Sequence, residues 1–150
     1  MRKIVAYLIL LLAFTLVASI VHAQDAQEIT KWLKNNPDID YIEKLPPDTL
    51  LIVAQEGGHF KTLGALVAQA KKSASDGGVP LAATAGDGPY ARKFMRLIGA
   101  PIIIIPLQNA RMAITAVIGG HVEAAIVPKN EVFPHVEAGR VRILAVVDFK

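Results

Sequence analysis

From Leu50 onward the apolar positions follow two alternating rhythms. Short apolar runs at Leu50–Ala54, Leu81–Thr84, Ile102–Ile105, Ala124–Val127 and Ile143–Val147 predict strands. Between them, Leu63, Leu66, Val67 and Ala70, then Phe94, Leu97 and Ile98, then Ile114, Val117 and Ile118, then Val132, Phe133 and Val136 each keep to one face of a helix. "SDGG", Gly99, Gly119-Gly120 and Gly139 supply the stops. Strands alternating with helices across short turns predict an α/β fold, with a mostly parallel five-stranded sheet covered by helices on both faces and right-handed crossovers. Ile102–Ile105, apolar at every position, is expected to be buried on both sides.

The segment before this lobe is different. Ile29, Trp32 and Leu33 are spaced for a small polar helix within Asp25–Asn36, ended by "NNPD", and "EKLPPDT" reads as a linker. Residues 24–49 are therefore expected to form an arm and linker, and residues 50–150 the lobe. Arg2 and Lys3, the apolar run Ile4–Ile20 and the small-residue exit Val21-His22-Ala23 predict a cleaved export signal over 1–23. The run is shorter than the ~20 residues that cross a bilayer.

Charge and composition remove several function classes. Without Arg2 and Lys3 the 16 basic residues fall to 14, against 13 acidic ones, and no basic stripe is interleaved with aromatics. Nucleic acid is thus not an expected partner. With no cysteine, disulfides, thiolate metal sites and a cysteine nucleophile are excluded. Ser19, Ser73 and Ser75 lie in no nucleophile elbow, and His59, His121 and His135 follow no ligand spacing. Neither an enzyme, a metal site nor a cofactor is expected.

One loop remains of interest. In an α/β sheet, ligands bind beyond the carboxyl ends of strands, where helix N-termini present free N–H groups. Thr84-Ala85-Gly86-Asp87-Gly88-Pro89 occupies such an end. Its glycines permit positive φ or close backbone approach, and Pro89 suits a first helical turn. The exposed amides and helix dipole would favour a carboxylate by ~0.3 to 1 kcal/mol for the dipole part. The plainer reading is a tight strand-to-helix turn with Asp87 as its cap. "GDGPYA" also matches G-x-G-x-x-A, which raises a nucleotide-cofactor enzyme, but no acid follows at the spacing a ribose needs.

From about Leu51 to Val147 the chain resembles the substrate-binding receptors of tripartite tricarboxylate transporters, the Bug family. The likeness is carried, in order, by "LIVAQEGGHFKTLGALVAQAKK", "TAGDG", "LIGAPIIIIP", "AVIGGHVEAAIVP" and "VFPHVEAGRVRILAV". The resemblance implies the second lobe of a periplasmic-binding-protein type II fold, a periplasmic location and a small carboxylic acid as ligand. It implies contacts from Thr84, Ala85, Gly86 and Gly88, and from Gln108, Asn109 and Ala110 at the next helix N-terminus. It also implies the membrane subunits of such a transporter as partners. Residues 24–49 show no first-lobe pattern, Leu107 stands at a tyrosine-like position and Val127 at an acidic one. A lone lobe is expected to bind weakly, or with a dimer mate or a separate first-lobe protein supplying the other wall. The alternative is a periplasmic interaction module or relic lobe without a ligand, favoured by an exposed apolar strip along Leu51–Val53 and Ile143–Val147.

Overall fold

The computed structural model describes residues 33–35 and 39–147. A short strand β1 (Leu33–Asn35) and helix α1 (Ile39–Glu43) precede the lobe. The lobe then runs β2 (Leu50–Gln55), α2 (Leu63–Lys72), a 3-10 turn (Ser73–Asp76), β3 (Val79–Thr84), α3 (Gly88–Ile98), β4 (Ile102–Leu107), α4 (Ala110–Ile118), β5 (Ala124–Pro128), α5 (Lys129–Glu137) and β6 (Val141–Val147). All five strands and four helices expected of the lobe are present. The signal segment and most of the expected arm helix lie outside the described residues. Where that helix can be compared, at Leu33–Asn35, the chain is extended and pairs antiparallel with β6.

The strands form one six-stranded sheet in the order β1-β6-β2-β5-β3-β4. β3 pairs in parallel with β4 and β5, whereas β2 runs antiparallel to both β5 and β6. The α/β class stands, but the sheet is mixed rather than mostly parallel, and it has one strand more than expected. The reason lies in α2, which does not carry the chain back to the end where β2 began. β3 instead starts from the end that β2 has just reached.

Alternation along the strands divides the core in two. Ile52, Leu81, Ala83, Ala124 and Ile126 face α2 and α3, where Leu66 and Phe94 are fully buried. Leu51, Val53, Ala82, Ala125 and Val127 face α1, α4 and α5, with Ile42, Ile114, Val117 and Val132. On β6 the register slips between the partners of Ile52 and Val53, and both Leu144 and Ala145 enter the first core. A one-residue slip is what breaks strict alternation in this way. β4 has β3 on one side only, so Ile102–Ile105 is an edge strand and not a fully buried one. Ile103 is 40% exposed.

Glu56, just after β2, and Arg142, on β6, form an ion pair that ties these strands together, with Arg142 Nε donating to Glu56 Oε2 at 3.3 Å. The hydrogen bond from Arg142 is the main reason that the Glu56 carboxyl titrates below its ordinary 4.5. A depressed folded pKa stabilises the fold above the unfolded value, and that contribution is lost as pH falls through the folded value. Because the two side chains are 31% and 41% exposed, Arg142→Gln should cost less than about 1 kcal/mol at neutral pH. The difference from the parent should vanish in acid, read as the urea midpoint against pH.

Candidate functional site

β3 and β4 are parallel and in register, with Thr84 opposite Leu107. Each strand ends into a turn that opens a helix, so the Thr84–Gly88 and Gln108–Ala110 turns lie side by side along one end of the sheet. The seven residues expected at a site are thereby brought together. Ala85, Gly86, Gln108 and Asn109 are exposed, Thr84 is half-buried, and Gly88 and Ala110 are buried.

The first turn is closed by its own side chains. Thr84 Oγ1 donates to Asp87 Oδ2 at 2.5 Å and accepts from the Asp87 amide at 3.2 Å. Asp87 occupies the N-cap position of α3, yet its side chain makes no capping bond to the helix. It turns back to Thr84 instead. The amides of Tyr90 and Ala91 are taken by the Asp87 carbonyl, and Pro89 has none to offer. What the turn before α3 can present to a guest is the amides of Gly86 and Gly88, since the Asp87 amide and the Thr84 hydroxyl are already engaged with each other's residue.

Neither Gly86 nor Gly88 has a positive φ. A Cβ at Gly86 would sit 3.8 Å from Thr84 Oγ1, in ordinary contact. These glycines are therefore not required by backbone conformation, which leaves close approach as the remaining use of a bare Cα. A Cβ at Gly88 would lie 3.5 Å from Arg92 Nη1, so the exposed Arg92 guanidinium sits beside the turn. Sequence reasoning did not find Arg92. Its signal was its place one helical turn after Gly88.

At the second turn Asn109 is extended and caps α4, its Oδ1 accepting from the Met112 amide at 2.9 Å. The cap uses the carbonyl, so an incoming acceptor would meet the Asn109 amide N–H donors. The third helix at this end is sealed. Lys129 N and Asn130 N, at the start of α5, donate to the carbonyls of Thr49 and Pro47, and Lys129 Nζ donates to those of Glu43 and Leu45, each at 2.7 Å. The connection from α1 to β2 thus covers the N-terminus of α5 but not those of α3 and α4. Tyr90 and Met112, in the first turns of α3 and α4, are 40% and 44% exposed.

Among the described residues no three His, Asp or Glu side chains gather to hold a metal ion, and no helix is long and apolar enough to cross a membrane.

The mixed sheet, with helices on both faces and two helix-opening turns paired at one end, is similar to a lobe of solved periplasmic solute-binding proteins. The solved structures it matches include tripartite tricarboxylate solute-binding proteins of the TctC/Bug type. A TctC solute binding protein from Polaromonas is 26% identical over 66% of this chain, with a TM-score of 0.58, and the match spans 34% of that protein. The periplasmic binding protein BugD is 19% identical over 68% of this chain and 34% of its own, with a TM-score of 0.59. MatC from Rhodopseudomonas palustris, solved with bound malate, is 15% identical over 65% of this chain and 34% of its own, with a TM-score of 0.58. The chain thus spans about a third of the length of the solved structures it matches. No family model and no curated protein matches it.

Proposed function

We propose that the chain is a periplasmic solute-binding lobe that takes a small carboxylate, without chemistry, across the paired turns at the ends of β3 and β4. The observation that carries this reading is the register of Thr84 opposite Leu107, which sets two helix N-termini side by side at one sheet end. Backbone amides of Gly86 and Gly88, the Asn109 amide and the Arg92 guanidinium would receive the carboxylate oxygens. Thr84 and Asp87 act on each other and hold the turn. Malate bound to the similar MatC supports the ligand class. The neighbours are solute-binding proteins rather than enzymes, in keeping with binding as the whole activity, and their periplasmic setting suggests the same location here.

A single wall leaves much of a ligand in water, whereas enclosed sites bury ~70 to 90% of it. Affinity should accordingly be millimolar, or depend on a second wall from a dimer mate, a first-lobe protein or the transporter subunits. Tyr90 and Met112 flank the turns as apolar surface against which such a wall could pack. Calorimetry with malate, succinate, citrate and glutamate is the direct test. Saturable heats are expected, and Arg92→Gln should weaken binding at least about fivefold, the loss of a charge-assisted contact. Gly86→Ala should leave stability within about 0.5 kcal/mol yet abolish the heats, because a methyl group would stand where the ligand approaches. Flat titrations of the parent protein into the ten-millimolar range, alone and with a candidate wall, would defeat the proposal.

The interaction-module reading loses its distinguishing feature. Leu51, Ile52, Val53, Leu144 and Ala145 are fully buried, Val146 and Val147 nearly so and Ile143 half-buried, because β2 and β6 lie inside the sheet, with β1 beside β6 and α1 across one face.

A further inference from the structure

We infer a second small-molecule site at the opposite end of the sheet, a cleft suited to a primary organic ammonium ion. β2 runs antiparallel to β5, with Leu50 opposite Pro128, so Gln55 lies at the end where β5 begins. That end is about one strand length, roughly 17 Å, from the Thr84–Gly88 turn. Here the β2-to-α2 and α4-to-β5 connections enclose a cavity of about 170 Å3.

Its floor is apolar. Ala54, Phe60 and Val122 line it, each less than a tenth exposed. Gln55 and Glu123 bring side-chain acceptors to its lining. Gln55 Nε2 donates to the Ile118 carbonyl at 3.0 Å, which commits the amide nitrogen and leaves Oε1 as an acceptor beside Gly120, another lining residue. Glu123 is held by its backbone, whose amide donates to the Pro80 carbonyl at 3.1 Å. Among the described residues its carboxylate has no ion-pair partner. Among the described residues Glu123 is also the only acidic or cationic side chain lining the cleft, apart from the exposed imidazole of His59.

An anion would meet the Glu123 charge there with no cation among the lining groups. A metal ion would lack ligands, since no three His, Asp or Glu gather among the described residues. A primary ammonium group satisfies what is present, donating to Glu123 and Gln55 Oε1 while its alkyl or aryl body lies against Phe60 and Val122. The volume suits a body the size of a benzene ring, which a cavity of about 150 Å3 is known to hold. The carboxylate seat proposed above plays no part in this inference.

Benzylammonium is the probe, followed by amide chemical shifts of the purified protein. Saturable shifts are expected at Gly57, Gly58, Gly120 and Glu123, with benzyl alcohol binding at least fivefold more weakly. Glu123→Gln keeps the shape of the half-buried side chain and should weaken the ammonium ion at least fivefold without changing the alcohol. Gly57→Leu should close the cleft to both; Gly57 is exposed and a Cβ there meets nothing within 4 Å, and unchanged amide shifts away from the cleft would show that the variant is folded. Equal binding of amine and alcohol, an unchanged Glu123→Gln titration, shifts centred on Thr84–Gly88, or no saturation in the ten-millimolar range would each overturn the site.

Discussion

Gly78→Ala is expected to cost more than about 4 kcal/mol, enough to leave little folded protein. Gly78 has φ +102, and a Cβ there would stand 2.1 Å from the Pro101 carbonyl oxygen and 2.5 Å from its carbon. Both obstacles are backbone, so no side-chain rotation relieves them. The damage would reach the candidate site because Gly78 and Pro101 are where β3 and β4 begin their parallel run, with Val79 opposite Ile102 at one end and Thr84 opposite Leu107 at the other. Forcing the strands apart at the start disturbs the register that sets the two turns side by side. Thermal and urea denaturation followed by circular dichroism would measure the loss. Gly57→Ala, with open space around its Cβ, is the control and should stay within about 0.5 kcal/mol of the parent. A Gly78→Ala protein as stable as that control would show that β3 and β4 do not approach each other as described.

Phe94→Ala should cost about 3 to 5 kcal/mol, the range for truncating a buried aromatic side chain. Among the described residues Phe94 is the largest of the fully buried side chains, and it packs between α3 and the sheet face that includes Leu81 and Ala83. Its loss leaves a cavity under the helix that carries Gly88 at its start and Arg92 one turn later. Phe94→Leu, which retains most of the apolar contact, should lose distinctly less. Urea midpoints of the two variants, compared at unchanged denaturant slope, separate a cavity effect from a change of the unfolded state. Equal stability of Phe94→Ala and the parent would contradict this packing.

Much of the lobe was legible because its signals are local. Ile114, Val117 and Ile118 repeat at the helical spacing, and α4 is the helix found there. Gly99 was expected to stop α3 and does so in the left-handed conformation, φ 59. The misreadings concern neighbours. Four isoleucines in a row have the composition of a buried strand, but β4 lies at the sheet edge, and edge position follows from strand order rather than from the strand itself. Leu33 fits a helical stripe with Ile29 and Trp32, yet Leu33–Asn35 extends along β6, where pairing overrides a weak local preference.

The candidate site was legible to the same depth. The Gly-flanked turn after a strand was visible in "TAGDGP", whereas the capping of α4 by Asn109 came only with the structure. The engagement of the Thr84 hydroxyl by Asp87 was not, because Asp87 is equally able to cap α3 and only the settled backbone chooses between the two acceptor geometries. Arg92 beside Gly88 and the Pro47 and Thr49 carbonyls over α5 were likewise hidden. The first depends on which way a long side chain lies, the second on an arm folding back onto the lobe.

Within the lobe the amino-acid order by itself determined where helices and strands form and where they stop, since side-chain periodicity and the φ limits of glycine and proline act within a few residues. Only the tertiary structure decided the direction of β2, the exposed edge at β4 and which two of the three helix N-termini at that end stay open. An alternating apolar strand presents the same faces whether it pairs parallel or antiparallel, so its partner and direction are chosen by how the whole sheet buries its two cores.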